Sequence, residues 1–159
     1  MAKVFIGLGG NLSDPVAELR QAVETMNQLE TTKVISCSQF YASAPLGPED
    51  QPDFINAVCE LETSLPPHVL LLALQAIELE QGRIKKRHWG ERIIDLDILL
   101  YDDQIIMTED LIIPHAEIAN RDFVLIPLAE IAPSLSIPHK GNIEGLIANL
   151  SKTYLKPIA

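Results

Sequence analysis

The 159-residue chain has little cysteine, no long apolar run and no surplus of positive charge. Its two cysteines, Cys37 and Cys59, each sit inside an apolar, strand-like segment. They are expected to be small buried hydrophobes in a reducing compartment, not a disulfide or a metal pair. No apolar stretch approaches the roughly 20 residues that span a bilayer. Met1-Ala2-Lys3-Val4-Phe5-Ile6 enters strand-like sequence at once, without the layout of a signal peptide. A cytoplasmic protein with no membrane partner is the expectation. A net charge of −10 excludes the broad basic surface that nucleic acid requires. Two nucleotide-binding motifs are also missing. Gly7-Leu8-Gly9-Gly10-Asn11-Leu12 carries Leu12 where a dinucleotide fingerprint needs its third glycine, and no Gly-x-x-x-x-Gly-Lys-Ser/Thr occurs. A tight turn after a buried strand is the expected role of Gly9 and Gly10.

What is present points to one globular domain over 1–159, with 47% hydrophobic and 21% charged residues. The charge is unevenly spread. Residues 83–92 hold five of the twelve Lys and Arg and a single acid, a local +4 on a body that otherwise sums to −14. Such a spot focuses a small anion without attracting a long polymer. This loop (Arg83, Lys85, Lys86, Arg87, His88, Trp89, Arg92) runs into Ile94-Asp95-Leu96-Asp97-Ile98-Leu99-Leu100. Read with a period of two, Ile94, Leu96, Ile98 and Leu100 share one face, and Asp95 and Asp97 the other. Adjacent carboxylates repel unless a cation sits by them. Hard oxygens for Mg²⁺ beside guanidinium and ammonium groups suit a nucleotide polyphosphate. A half-exposed strand with an acidic solvent face would read the same way, and Asp-x-Asp alone does not separate the two.

Val4–Leu8 reads as a strand, and Asp14 as the N-cap of a helix with Pro15 in its first turn and Val16, Leu19, Ala22, Val23 and Met26 as its stripe. Strands are expected at 33–41 and 54–62, with a Pro- and acid-rich loop at 43–53 between them. A helix is expected over 66–81, ended by Gly82. The Asp-x-Asp strand should then turn into a hairpin at Asp102-Asp103. Strand-helix-strand-strand-helix-strand is the split βαβ order of a ferredoxin-like α+β sandwich: an antiparallel sheet with helices packed on it and additional C-terminal helices. Both long loops, 43–53 and 83–92, are lid candidates.

Smaller constellations stay open at this level. Phe54 and Asn56 share a strand face and could grip a flat heterocycle, or be core and turn. Gln75 and Glu78 share a helix face that is solvated by default. His115 has no Cys or Asp nearby at zinc spacing.

The chain resembles the 6-hydroxymethyl-7,8-dihydropterin pyrophosphokinase family over nearly its whole length. The resemblance rests on Gly7–Leu12, on Pro45-Leu46-Gly47-Pro48-Glu49-Asp50-Gln51-Pro52-Asp53-Phe54-Ile55-Asn56-Ala57, on Glu78–Arg83, on Trp89–Leu99, and on Pro114-His115 with Arg121-Asp122-Phe123-Val124-Leu125. It implies transfer of diphosphate from ATP to the pterin hydroxymethyl group, with release of AMP, in folate biosynthesis. It further implies that Asp95 and Asp97 bind two Mg²⁺ ions and that Arg83 and Arg92 join them in catalysis. Gln75, Arg83, Lys85, Trp89, Arg92, Ile98, His115 and Arg121 fall to ATP, with Glu78 in support. Ser43, Leu46, Phe54, Asn56 and Phe123 fall to the pterin. The chain departs from the family's usual Ser at Gly10, Pro at Glu91 and Tyr at Ala116, and has His88 where Arg commonly precedes the Trp. Its shorter loop leaves Lys85, Lys86, Arg87 and His88 without assigned phosphate oxygens. A monomer is expected. Two other readings compete: a nucleotidyltransferase, in which the glycine turn normally lies much closer to the acids, and a non-catalytic pterin- or nucleotide-binding module.

Overall fold

The computed structural model describes residues 1–12, 14–43, 53–82, 93–150 and 155–157. Of the lid candidates 43–53 and 83–92, residues 44–52 and 83–92 lie outside the described residues, and with them Leu46, Arg83, Lys85, Trp89 and Arg92.

The first strand, β1, runs from Ala2 to Gly10, two residues beyond the expected Val4–Leu8 at each end. Helix α1, Pro15–Asn27, starts as expected: the Asp14 carboxylate accepts from the Ala17 N–H at 3.3 Å, and Leu19, Ala22 and Met26 are buried. The single strand expected over 33–41 is two: β2, Thr32–Cys37, and β3, Tyr41–Ser43. Ser38 breaks it, because its hydroxyl accepts the Val58 N–H at 3.0 Å and donates to the Gln39 carbonyl at 2.7 Å, drawing the backbone off its ladder. Both strands pair with β4, Phe54–Thr63. Helix α2, Pro67–Glu80, leads to Gly82, whose φ of +82° is the left-handed stop that glycine supplies. It is followed in the fold by β5, Asp95–Tyr101.

β1 lies between β4 and β5 and is antiparallel to both, so the path β4-β1-β5 carries the split βαβ order expected from the sequence. Val4, Ile6 and Leu8 pack with α1 and α2 against Leu96 and Ile98. The other sheet face is covered by α3, Asp122–Ile131, whose Leu125 and Leu128 pack with Phe5, Val58, Leu99 and Leu100. The expected alternation of β5 therefore fails at Leu100. Phe5 pairs with Leu100 and Ile6 with Ile98, so Leu99 is an extra residue, a β-bulge that turns both leucines to the α3 side.

The hairpin expected at Asp102-Asp103 is not formed by β5. Asp102 turns with φ +49° and accepts the Lys3 N–H at 2.8 Å, tying the chain back to β1. The next strands, β6 (Ile106–Met107) and β7 (Ile112–Ile113), pair with each other. Beyond α3, β8 (Ser136–Ile137) pairs with β9 (Gly141–Asn142), α4 spans Ile143–Ala148, and β10 (Lys156–Pro157) adds to β3. Cys37 and Cys59 are directly opposed across β2 and β4 with Cα atoms 4.1 Å apart and their sulfurs bonded, which corrects the expectation of two separate thiols. Their pairing follows from sheet register, which a sequence separation of 22 residues does not reveal.

Candidate active site

The site grows out of the register of three strands. Gly9 faces Asn56 on one side and Asp95 on the other; Gly7 faces Val58 and Asp97. Because Val4, Ile6 and Leu8 point into the α1–α2 core, residues 7 and 9 present the α3 face, and as glycines they leave the middle of the sheet bare there. The hollow becomes a cavity of about 210 Å³. Its walls include Ser43, Phe54 and Asn56 on the β3–β4 side, Asp95, Asp97 and Leu99 on β5, and Arg121, Phe123 and Val124 at the start of α3. Gly9 and Gly10 thus belong to a strand and not to the turn expected of them. Gly9 is needed for close approach, since a Cβ there would lie 2.9 Å from Asn56 Oδ1.

Each wall has its own chemistry. Asn56 is 6% exposed, and its amide donates to Ser43 Oγ at 2.8 Å, which fixes the plane of the amide and leaves a second N–H and the carbonyl for a ligand edge. Phe54 and Phe123 bring aromatic surface to the same cavity. The Arg121 guanidinium lies 5.4 Å from the centre of the Phe123 ring, a cation–π contact that holds the charge at the rim.

Asp95 and Asp97 are on the cavity side of β5, half-buried and exposed respectively. Among the described residues no group of three or more His, Cys, Asp and Glu side chains is gathered as a metal cage. A pair of carboxylates beside an open cavity suits Mg²⁺, which is held through one or two carboxylates with the remainder left to water and substrate phosphate. Behind the pair, Glu78 accepts the Leu96 N–H at 2.8 Å while only 5% exposed. Among the described residues β5 ends the strand path here, and α2 supplies the acceptor that a further strand would have given. The solvated face expected of Glu78 is corrected accordingly: the carboxylate is turned inward, onto the peptide between the two aspartates.

His115 donates its backbone N–H to the Leu99 carbonyl at 3.0 Å, so the bulge anchors it beside the acid strand. Burial pushes its imidazole below the usual histidine range, opposed by the Asp97 and Glu117 carboxylates and assisted by the Arg121 cation. Its Nδ1 accepts the Glu117 N–H at 3.2 Å. Two expected residues stand apart. Gln75 is exposed on α2, and the Ile98 side chain is buried in the α1–α2 core, on the far side of β5 from the cavity. Gly7, Leu8, Gly9, Ala57, Leu99 and Val124 also line the cavity, beyond the site residues expected from the sequence. Gly7 and Gly9 alternate at the period of a strand, which was the available signal; Leu99 reaches the cavity only through the bulge.

Residues 5–133 match the model of the 7,8-dihydro-6-hydroxymethylpterin-pyrophosphokinase (HPPK) family. The chain is 50% identical over 147 residues to the 2-amino-4-hydroxy-6-hydroxymethyldihydropteridine pyrophosphokinase of Haemophilus influenzae, covering 92% of both chains. It is 44% identical over 146 residues to the protein of the same name from Pseudomonas aeruginosa, covering 92% of this chain and 90% of that one. Among solved structures, HPPK-DHPS of Plasmodium falciparum shares the fold with a TM-score of 0.72 at 15% identity, over 93% of this chain and 43% of that one. On the family match and these identities, the chain belongs to the 7,8-dihydro-6-hydroxymethylpterin-pyrophosphokinase family.

Proposed function

We propose that the cavity between Asn56 and the Asp95–Asp97 pair is where this pyrophosphokinase passes diphosphate from ATP to the hydroxymethyl group of 6-hydroxymethyl-7,8-dihydropterin, releasing AMP. The observation that carries the reading is the sheet register. It sets a fixed amide and the Phe54 ring on one side of a glycine floor and two carboxylates on the other, and Phe123 lines the same cavity from the start of α3. A flat heterocycle and a metal-bound polyphosphate thus have adjoining places.

In this reading Phe54 and Phe123 stack on the pterin, and Asn56, Ser43 and Leu46 meet its polar edge. Asp95 and Asp97 hold Mg²⁺, two ions in our proposal, which when bound neutralise phosphate charge. Arg121 and His115 contact phosphate from the α3 side. Arg83, Lys85, Trp89 and Arg92 serve ATP as the family resemblance implies, together with Gln75 and Ile98; Ile98 would act through its backbone, since its side chain lies in the core. The substrate hydroxyl oxygen bonds to the β-phosphorus, the bond from that phosphorus to the α-phosphate oxygen breaks, and the hydroxyl proton passes to solvent. The chain's own contribution is positioning and charge placement.

We further propose that residues 1–159 act as one pyrophosphokinase domain, that the protein is a monomer, and that the cytoplasm is its compartment. Among the described residues no helix is long and apolar enough to cross a membrane. Asn56→Ala tests the assignment of the cavity. It should raise KM for the pterin alcohol and leave KM for ATP within about twofold, the loss being that of hydrogen bonds to one ligand. Equal losses for both substrates would contradict it.

A further inference from the structure

The two rings assigned to the pterin are carried by different parts of the chain. Phe54 is fixed in the sheet, where it pairs with Ser43 on β3. Phe123 sits in the first turn of α3, so the gap between the rings depends on where α3 lies over β3 and β4. The helix is seated by Leu125 and Leu128, which pack with Val58. Such packing is non-directional. The directional tie is Glu130, in the last turn of α3. Its Oε2 accepts the Gln39 N–H at 2.9 Å, and its Oε1 accepts the Tyr41 hydroxyl at 2.5 Å. Gln39 lies between β2 and β3, and its N–H finds its acceptor on the helix and not in a ladder. Tyr41 is 8% exposed and pairs in register with Asn56, the amide that Ser43 holds. Burial, then the hydrogen bond and charge of Glu130, push the Tyr41 phenol up to about 12, so its hydroxyl remains a donor. Phe123 and Glu130 are seven residues apart, close to two helical turns, and share one face of α3. With its last turn held over Gln39 and Tyr41, the helix delivers Phe123 to the cavity that Ser43 and Phe54 line.

We propose that Glu130 is a positioning residue for the pterin: it clasps α3 to β3 and thereby sets the spacing between Phe123 and Phe54. The inference rests on the stacking roles proposed above for these two rings and adds the group that spaces them. A carboxylate suits the task, since it offers two acceptor oxygens and no donor to two donors at one strand edge. Glu130 acts on the pterin only through Phe123, so its effect should vanish when that ring is absent. Its side chain is exposed, so truncation to Ala opens no cavity and retains a strong helix former.

AMP formation by the full chain, with Mg-ATP saturating and the pterin alcohol varied, tests the clasp in a double-mutant cycle. Glu130→Ala should raise KM for the pterin alcohol about three- to tenfold, the worth of a hydrogen bond. Its kcat and its KM for ATP should stay within about twofold of wild type, a split that general destabilisation would not produce. Should Glu130→Ala fold poorly, Tyr41→Phe carries the same test, because it keeps the ring and removes only the donor. Added to Phe123→Ala, Glu130→Ala should raise KM by less than a further twofold, since no ring is left to position. A rise below threefold in the folded single variant, or losses that multiply in the double variant, overturns the proposal and leaves the stacking reading standing. A Phe123→Ala variant with the wild-type KM for the pterin alcohol overturns both.

Discussion

Gly9→Ala tests the architecture of the site at its narrowest point. The new methyl would sit 2.9 Å from Asn56 Oδ1, where an ordinary contact needs about 3.4 Å. Asn56 cannot retreat with its backbone, which is held in register opposite Gly9. The amide must swing instead, and the swing strains its 2.8 Å bond to Ser43 Oγ. Losing the equivalent of one hydrogen bond is worth about 0.5–1.5 kcal/mol, or roughly a two- to tenfold weaker pterin complex. The crowding itself should cost about 1–3 kcal/mol of stability. Calorimetric titration with each ligand alone and urea unfolding measure the two effects. ATP affinity should stay near wild type, because the clash is on the amide side of the floor. The double variant Gly9→Ala with Asn56→Ala supplies the decisive comparison. With the amide gone the methyl has room, so the two stability losses should fall well short of adding. Additive losses, or an unchanged pterin affinity in Gly9→Ala, would refute this account of the glycine floor.

Other substitutions probe the remaining walls. Asp95→Ala and Asp97→Ala should each nearly abolish turnover, and Asp97→Ala should melt within a few degrees of wild type, since relieving carboxylate repulsion costs the apo protein little; turnover within a few-fold of wild type would reject the metal role. Phe123→Ala should weaken the pterin complex by about 1–3 kcal/mol, by analogy with stacked bases, and spare ATP in separate titrations. Glu78→Ala strips the buried Leu96 N–H of its acceptor and should cost about 1–3 kcal/mol in chemical unfolding. It should also raise KM for Mg-ATP, because the peptide between the two aspartates loses its anchor; a fall in stability with unchanged kinetics would leave Glu78 a purely structural residue.

The parts of this molecule that the sequence disclosed are those set by local periodicity. Asp14-Pro15 announced α1, Gly82 the end of α2, and the alternation of Asp95 and Asp97 with Leu96 placed both acids on one face. Resemblance to the family brought Phe54, Asn56, Arg121 and Phe123 together before any coordinates did. What stayed hidden depends on pairing between distant segments. The bulge at Leu99 exists only relative to Phe5 and Ile6 on β1. The inward turn of Glu78 requires knowing that β5 is an edge and that α2 lies along it. Cys37 meets Cys59, and Gly9 meets Asn56, through sheet registers that no local pattern encodes. Ser38 looked like part of a continuous strand because its hydroxyl competes for a backbone group on β4, a partner 20 residues away.

In our proposal one cavity aligns a pterin alcohol with the β-phosphorus of ATP. Quantifying the products from ATP, Mg²⁺ and 6-hydroxymethyl-7,8-dihydropterin tests it most directly. AMP and pterin diphosphate should form in equal amounts, with no AMP when Mg²⁺ is chelated. Release of pyrophosphate would point to nucleotidyl transfer, ADP to single phosphoryl transfer, and binding without any product to a non-catalytic module; each would contradict it.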